Sequence, residues 1–168
     1  MTGDQLIGEV LIADEDATVR FANSFAPYLR AGDVLALEGD LGAGKTAFSR
    51  ALINALPFGP GQDEKEEVPS PTFTLVQIYD RAELQVWHFD LYRLEDPEEA
   101  YELGIEDAFI DGVSLIEWPD KLGFLMPSNR LMVNLQYGES DTNRVLTISG
   151  NDKWCERLSV FLKKSDAS

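Results

Sequence analysis

A chain of 168 residues, 44% hydrophobic and 10% aromatic, has enough apolar material for a real core, and its length suits one domain over 1–168. Thirty acidic residues against 14 basic ones give a formal net charge of −16, a field that repels polyanions and argues against autonomous nucleic-acid binding. There is no signal-peptide pattern and no apolar run of membrane-spanning length, so a cytoplasmic protein without a membrane partner is expected, and the lone Cys155 allows neither an internal disulfide nor a cysteine metal site.

In chain order, Leu6 to Ile12 predicts a first strand, and Asp14 or Asp16 can cap a helix carrying Phe21, Ala22, Phe25 and Leu29. A turn at Gly32-Asp33 leads into Val34-Leu35-Ala36-Leu37, a short buried strand. Then comes Gly39-Asp40-Leu41-Gly42-Ala43-Gly44-Lys45-Thr46, which fits G-x-x-x-x-G-K-[ST], followed by a helical apolar stripe of Phe48, Ala51, Leu52, Ala55 and Leu56. Strand, glycine loop and helix in that order are the context a phosphate-binding loop requires. The backbone N–H groups of Asp40 through Thr46 would curl around phosphates at a helix N-terminus, Lys45 would reach the β- and γ-phosphates, and the Thr46 hydroxyl would serve Mg²⁺. A glycine-rich turn that binds nothing is the bland alternative. Because ATP is itself an anion in an acidic protein, Mg²⁺ becomes the more necessary.

An acidic run, Asp63-Glu64-Lys65-Glu66-Glu67, reads as a solvated loop. Thr74 to Tyr79 and Leu84 to Phe89 predict a hairpin, Pro97 starts a short helix ending near Gly104, and Val113 to Ile116 is a buried-type strand that Pro119 stops. Leu131 to Tyr137 and Arg144 to Ser149 predict an antiparallel pair, and Lys153 to Lys163 a closing amphipathic helix. The pattern is α/β, with helices layered on a mixed sheet.

Two carboxylates stand at strand ends, where ligands of open α/β sheets gather: Asp90 after Leu84 to Phe89, and Glu117 after Val113 to Ile116, the latter in the manner of a Walker B acid. Each can equally be a charged residue making a turn or a surface pair. His88, the sole histidine, shares a strand face with Asp90 and reads as packing, in the core or behind the site. Arg93 can pair with a phosphate or with a nearby acid.

The motifs Gly39 to Thr46, Ser70-Pro71-Thr72-Phe73, His88-Phe89-Asp90-Leu91-Tyr92-Arg93-Leu94, Leu103-Gly104-Ile105 and Ile116-Glu117-Trp118-Pro119 together resemble the TsaE (YjeE) family, from about Asp14 to Pro119. The last fifty residues are similar only in being strand-rich. The resemblance implies a P-loop NTPase-like three-layer fold and a bacterial ATPase working with TsaB and TsaD to make threonylcarbamoyladenosine at position 37 of tRNA. It implies Lys45 on the phosphates, Thr46 and Glu117 on Mg²⁺, Asp90 near the γ-phosphate or the attacking water, and Thr72 as a switch threonine. Trp118 would lie against the nucleotide or a partner, and Thr18 near the adenine. A turn leading into a strand at Thr72 and an ordinary core tryptophan at Trp118 are the competing readings. The absence of a sure arginine finger implies slow turnover without partners, with tRNA reached only through them. A GTPase would carry Asn-Lys-x-Asp, which does not occur. A small-molecule kinase and a nucleotide-binding module without turnover both stay open as rival functions.

Overall fold

The computed structural model describes residues 4–40, 42–59, 71, 74–140 and 142–166. Leu41, the acidic run Asp63 to Glu67, and Ser70, Thr72 and Phe73 lie outside them. Seven strands form one sheet: β1 Gln5–Ile12, β2 Val34–Gly39, β3 Val76–Asp80, β4 Gln85–Asp90, β5 Gly112–Glu117, β6 Leu131–Tyr137 and β7 Arg144–Gly150. Their spatial order is β1-β7-β6-β2-β5-β4-β3. The middle four run parallel, and β7 with β1 on one side and β3 on the other run antiparallel to their neighbours. The sheet is therefore mixed, and its parallel centre is buried on both faces, as parallel strands require.

Alternation along the strands divides the core. Leu35, Leu37, Val113, Leu115, Val133 and Ile148 point to the face covered by α1 Glu15–Phe25, α2 Lys45–Ala55 and α4 Asp152–Asp166. There Phe21 and Phe25 of α1 meet Phe161 of α4 edge to face, with centroids 5.6 and 5.7 Å apart. Each such side chain removed from water contributes roughly 1.5–3 kcal/mol. Val34, Trp87, Phe89 and Ile116 point the other way, to α3 Ile105–Asp111 and to 3₁₀ segments at Pro97–Leu103 and Pro119–Leu125. Helices on both faces make the three layers.

Asp14 caps α1, its side chain accepting the Ala17 N–H at 2.8 Å, a contact of about 1 kcal/mol. At the amino end of β2, buried Asp33 accepts the Arg30 N–H at 2.7 Å and Arg157 Nη1 at 2.6 Å, which ties α4 to the sheet. Burial pushes the Asp33 carboxyl up, while the Arg157 contact pulls it back.

Differences from the sequence reading follow from local geometry. Leu29 is buried, but a 3₁₀ turn at Ala26–Tyr28, with Pro27 at its start, takes it out of α1. Thr74 and Leu75 form a turn before β3, Leu75 in a left-handed conformation at φ 68°. The segment from Pro97 is 3₁₀, and left-handed Gly104 ends it and caps α3, a helix the pattern did not predict. Asp90 and Glu117 close their strands instead of following them. Among the described residues no helix is long and apolar enough to cross a membrane.

Candidate functional site

The strand β2 delivers the chain into the glycine loop, and two glycines are required for its path. A Cβ on Gly39, at φ 149°, would lie 2.4 Å from the Leu135 carbonyl oxygen of β6. Gly44 holds φ 107° as the residue that caps α2, a left-handed conformation that costs other residues about 1 kcal/mol or more. The loop thus turns directly into the N-terminus of α2, whose first two residues are Lys45 and Thr46.

Lys45 is only 5% exposed. Its ammonium donates to the Gly39 carbonyl at 2.5 Å and stands 3.7 Å from the centroid of the Trp118 ring. Burial draws its pKa below the ordinary lysine value, against the opposing pull of Glu117, Asp90, Asp40 and Asp120. The charge is held in a place where water does not fully compensate it.

The acids come from neighbouring parallel strands. Register places Asp90 of β4 directly opposite Glu117 of β5, both on the face that carries α2. The Thr46 hydroxyl lies 3.1 and 3.2 Å from the two Glu117 oxygens, and His88 Nε2 lies 2.6 Å from Oε2. Asp90 accepts the Tyr92 N–H at 3.2 Å. Among the described residues no group of three or more His, Cys, Asp or Glu side chains is arranged to hold a metal ion by itself. A hard ion taken up here would need Thr46, Glu117 and oxygens from a ligand or water, which is the ordinary habit of Mg²⁺.

These residues surround a cavity of about 370 Å³, lined by Thr18, Gly42, Ala43, Gly44, Lys45, Thr46, Asp90, Glu117 and Trp118. Of the residues expected from the sequence, Asp40 is the exception: it lines an adjoining groove that shares Lys45 and Trp118 with the cavity. Leu41 and Thr72 lie outside the described residues. Arg93 is exposed. Trp118 adopts φ 59° and ψ 54°, a left-handed conformation just before Pro119, and packs its ring against Tyr92 at 5.0 Å. Such backbone strain persists only where surroundings over-determine it.

Arg144 was not foreseen. The first residue of β7, it sends Nε to the Ala43 carbonyl at 3.0 Å, stacks 4.3 Å from the Tyr137 ring and lines the cavity. Its place at the start of a predicted strand was legible, but the sheet order that brings β7 and β6 beside the loop was not.

Sheet, loop and cavity define an α/β protein with a P-loop NTPase-like fold. A family model described as threonylcarbamoyl adenosine biosynthesis protein TsaE matches residues 12–146. The tRNA threonylcarbamoyladenosine biosynthesis protein TsaE of Rickettsia bellii is 38% identical over 136 residues, 81% of this chain and 91% of that protein. The protein of the same name from Haemophilus influenzae is 38% identical over 146 residues, 83% of this chain and 89% of its own. The crystal structure of Bacillus subtilis YdiB superposes with a TM-score of 0.75 at 29% identity, covering 99% of this chain and 98% of that one. The chain belongs to the TsaE family, involved in tRNA threonylcarbamoyladenosine biosynthesis. The likeness runs further than the motifs implied, through β6 and into β7.

Proposed function

We propose that the chain is a Mg²⁺-dependent ATPase that acts with TsaB and TsaD to drive or reset the threonylcarbamoyladenosine modification of tRNA at position 37. The observation that carries this is the convergence of Lys45, Thr46, Asp90 and Glu117 on one cavity at the N-terminus of α2. The donor set fits the group. A buried ammonium held by a carbonyl and a ring face suits a phosphate, which would return to Lys45 the charge compensation that burial removes. Thr46 and Glu117 would hold Mg²⁺, whose chemistry when bound is to neutralise charge on the phosphate oxygens.

The remaining residues serve positioning. The helix N-terminus and the loop amides would orient the phosphates, Asp90 would orient the attacking water, and Trp118 would close one wall of the cavity. Thr18 and Asp14, on α1 and its cap, also line the cavity and would meet the base. Thr72 is proposed as a switch residue from the family resemblance alone. No arginine has a finger's role in this reading, so turnover is slow until a partner completes the site. The net charge of −16 leaves tRNA to be met through TsaB and TsaD.

Phosphate release from ATP, measured for the chain alone and with TsaB and TsaD, tests the reading. Slow release alone and faster release in the mixture are expected, both abolished in Lys45→Ala. Nucleotide binding without release in either condition would leave a binding module and remove the ATPase.

A further inference from the structure

His88 is the buried polar side chain of this cluster with no part in the proposed chemistry. It lies on β4 two residues before Asp90, with no exposed surface, and on the same face. Its Nε2 is 2.6 Å from Glu117 Oε2, and its Nδ1 is buried with no hydrogen-bond partner among the described residues. An ionised carboxylate only accepts, so Nε2 carries the proton and donates it. With Nε2 as the donor to Glu117, and no partner for Nδ1 among the described residues, the hydrogen bond fixes one tautomer.

We propose that His88 is a positioning residue for the metal: by fixing Glu117 Oε2 it sets the orientation of the carboxylate that faces Thr46 and the Mg²⁺ position. The inference rests on the reading of Thr46 and Glu117 as Mg²⁺ ligands. The two oxygens are unequally held: the Thr46 hydroxyl reaches both, at 3.1 Å from Oε1 and 3.2 Å from Oε2, while only Oε2 also meets His88, at 2.6 Å. Without the imidazole, the carboxylate can rotate about its last torsion, a broad and soft one, and is no longer aimed. Partners that orient metal ligands in this way change metal affinity by about 10- to 100-fold when removed. A histidine that merely fills the core would affect stability and leave metal affinity alone.

Calorimetry separates the two roles without using turnover. ADP is titrated into the full chain with saturating Mg²⁺ and with EDTA, and the ratio of the two Kd values gives the metal's contribution. His88→Leu should reduce that ratio at least tenfold while the Kd in EDTA changes less than twofold. His88→Gln, whose amide nitrogen reaches the Nε2 position, should recover most of it. Because the chain has one histidine, ¹⁵N-histidine labelling of the native protein reads the tautomer directly even where a variant folds poorly. A proton on Nε2, a bare Nδ1 and a shift of Nε2 on adding Mg²⁺ with ADP support the proposal. A proton on Nδ1 with a bare Nε2, or an unchanged Kd ratio in folded His88→Leu, would overturn it and leave the metal site standing. Native protein that binds ADP equally with Mg²⁺ and with EDTA would instead remove the metal reading, and this inference with it.

Discussion

The two ends of β2 each bury charge, and they do so in opposite ways. At the amino end, Asp33 and Arg157 close on each other at 2.6 Å, with Arg30 N–H on the same carboxylate oxygen and the guanidinium stacked 4.2 Å from the Trp154 ring. At the carboxyl end, Lys45 leans on a carbonyl and a ring while Glu117 and Asp90 face a cavity. A buried charge closed on its partner fastens two elements together. One that borders a cavity is arranged for something that enters, and perturbed ionisation at such a place marks a functional site.

The comparison breaks most visibly at the amino end. Asp33→Ala leaves the half-buried Arg157 without its anion and should cost about 3 kcal/mol of stability, the low end of the loss on removing one member of a buried pair. Denaturant unfolding measures it, and ADP affinity of the folded protein should be unchanged. At the other end, Lys45→Ala should weaken ATP binding by about 1.5–3 kcal/mol, at least tenfold, when titrated by calorimetry with Mg²⁺. Its stability should not fall. Burial depresses the lysine pKa, so the folded state binds its proton less tightly than the unfolded chain does, and near neutral pH the ammonium opposes folding.

Smaller effects divide the carboxyl end itself. Glu117→Gln removes the anion proposed to hold the metal without changing the shape of the side chain, so more Mg²⁺ should be needed for the same turnover, by about 10-fold. Asp90→Asn should leave ATP affinity within about twofold and lower only the partner-stimulated rate. Wild-type turnover in that variant would take Asp90 off the list of working residues. The slightest effect is one of pH. Burial raises the Asp33 carboxyl above 3.8, so the folded protein holds that proton to higher pH than the unfolded chain. Its contribution to stability is therefore greatest below 3.8 and declines as pH rises through the folded value. Native stability measured relative to Asp33→Asn should follow that decline and then level off.

What the sequence made legible was local. The strand, glycine loop and helix around Lys45 are contiguous, and their physics lies within some twenty residues. Asp90 and Glu117 stood out because strand ends announce themselves by hydrophobic runs that stop. Arg144 could not be read in the same way, because its contact with Ala43 spans a hundred residues and depends on β6 lying beside β2. The helix α3 was hidden by its shortness: Ile105 and Ala108 are its buried residues, too few to show a period, and the 3₁₀ turn before it runs up to the same Gly104. His88 was visible as a residue sharing a face with Asp90, but its aim at Glu117 required the parallel register of β4 on β5.

The central claim is that the charges at the carboxyl end of β2 await a Mg²⁺-bound nucleotide. Calorimetric titration of the native chain with ATP, once with Mg²⁺ and once with EDTA, tests it most directly. Saturable binding of one ATP per chain, at least tenfold tighter with Mg²⁺ and at least tenfold weaker in Lys45→Ala, is the predicted result. No binding, or binding equally tight in EDTA and in Lys45→Ala, would contradict the account.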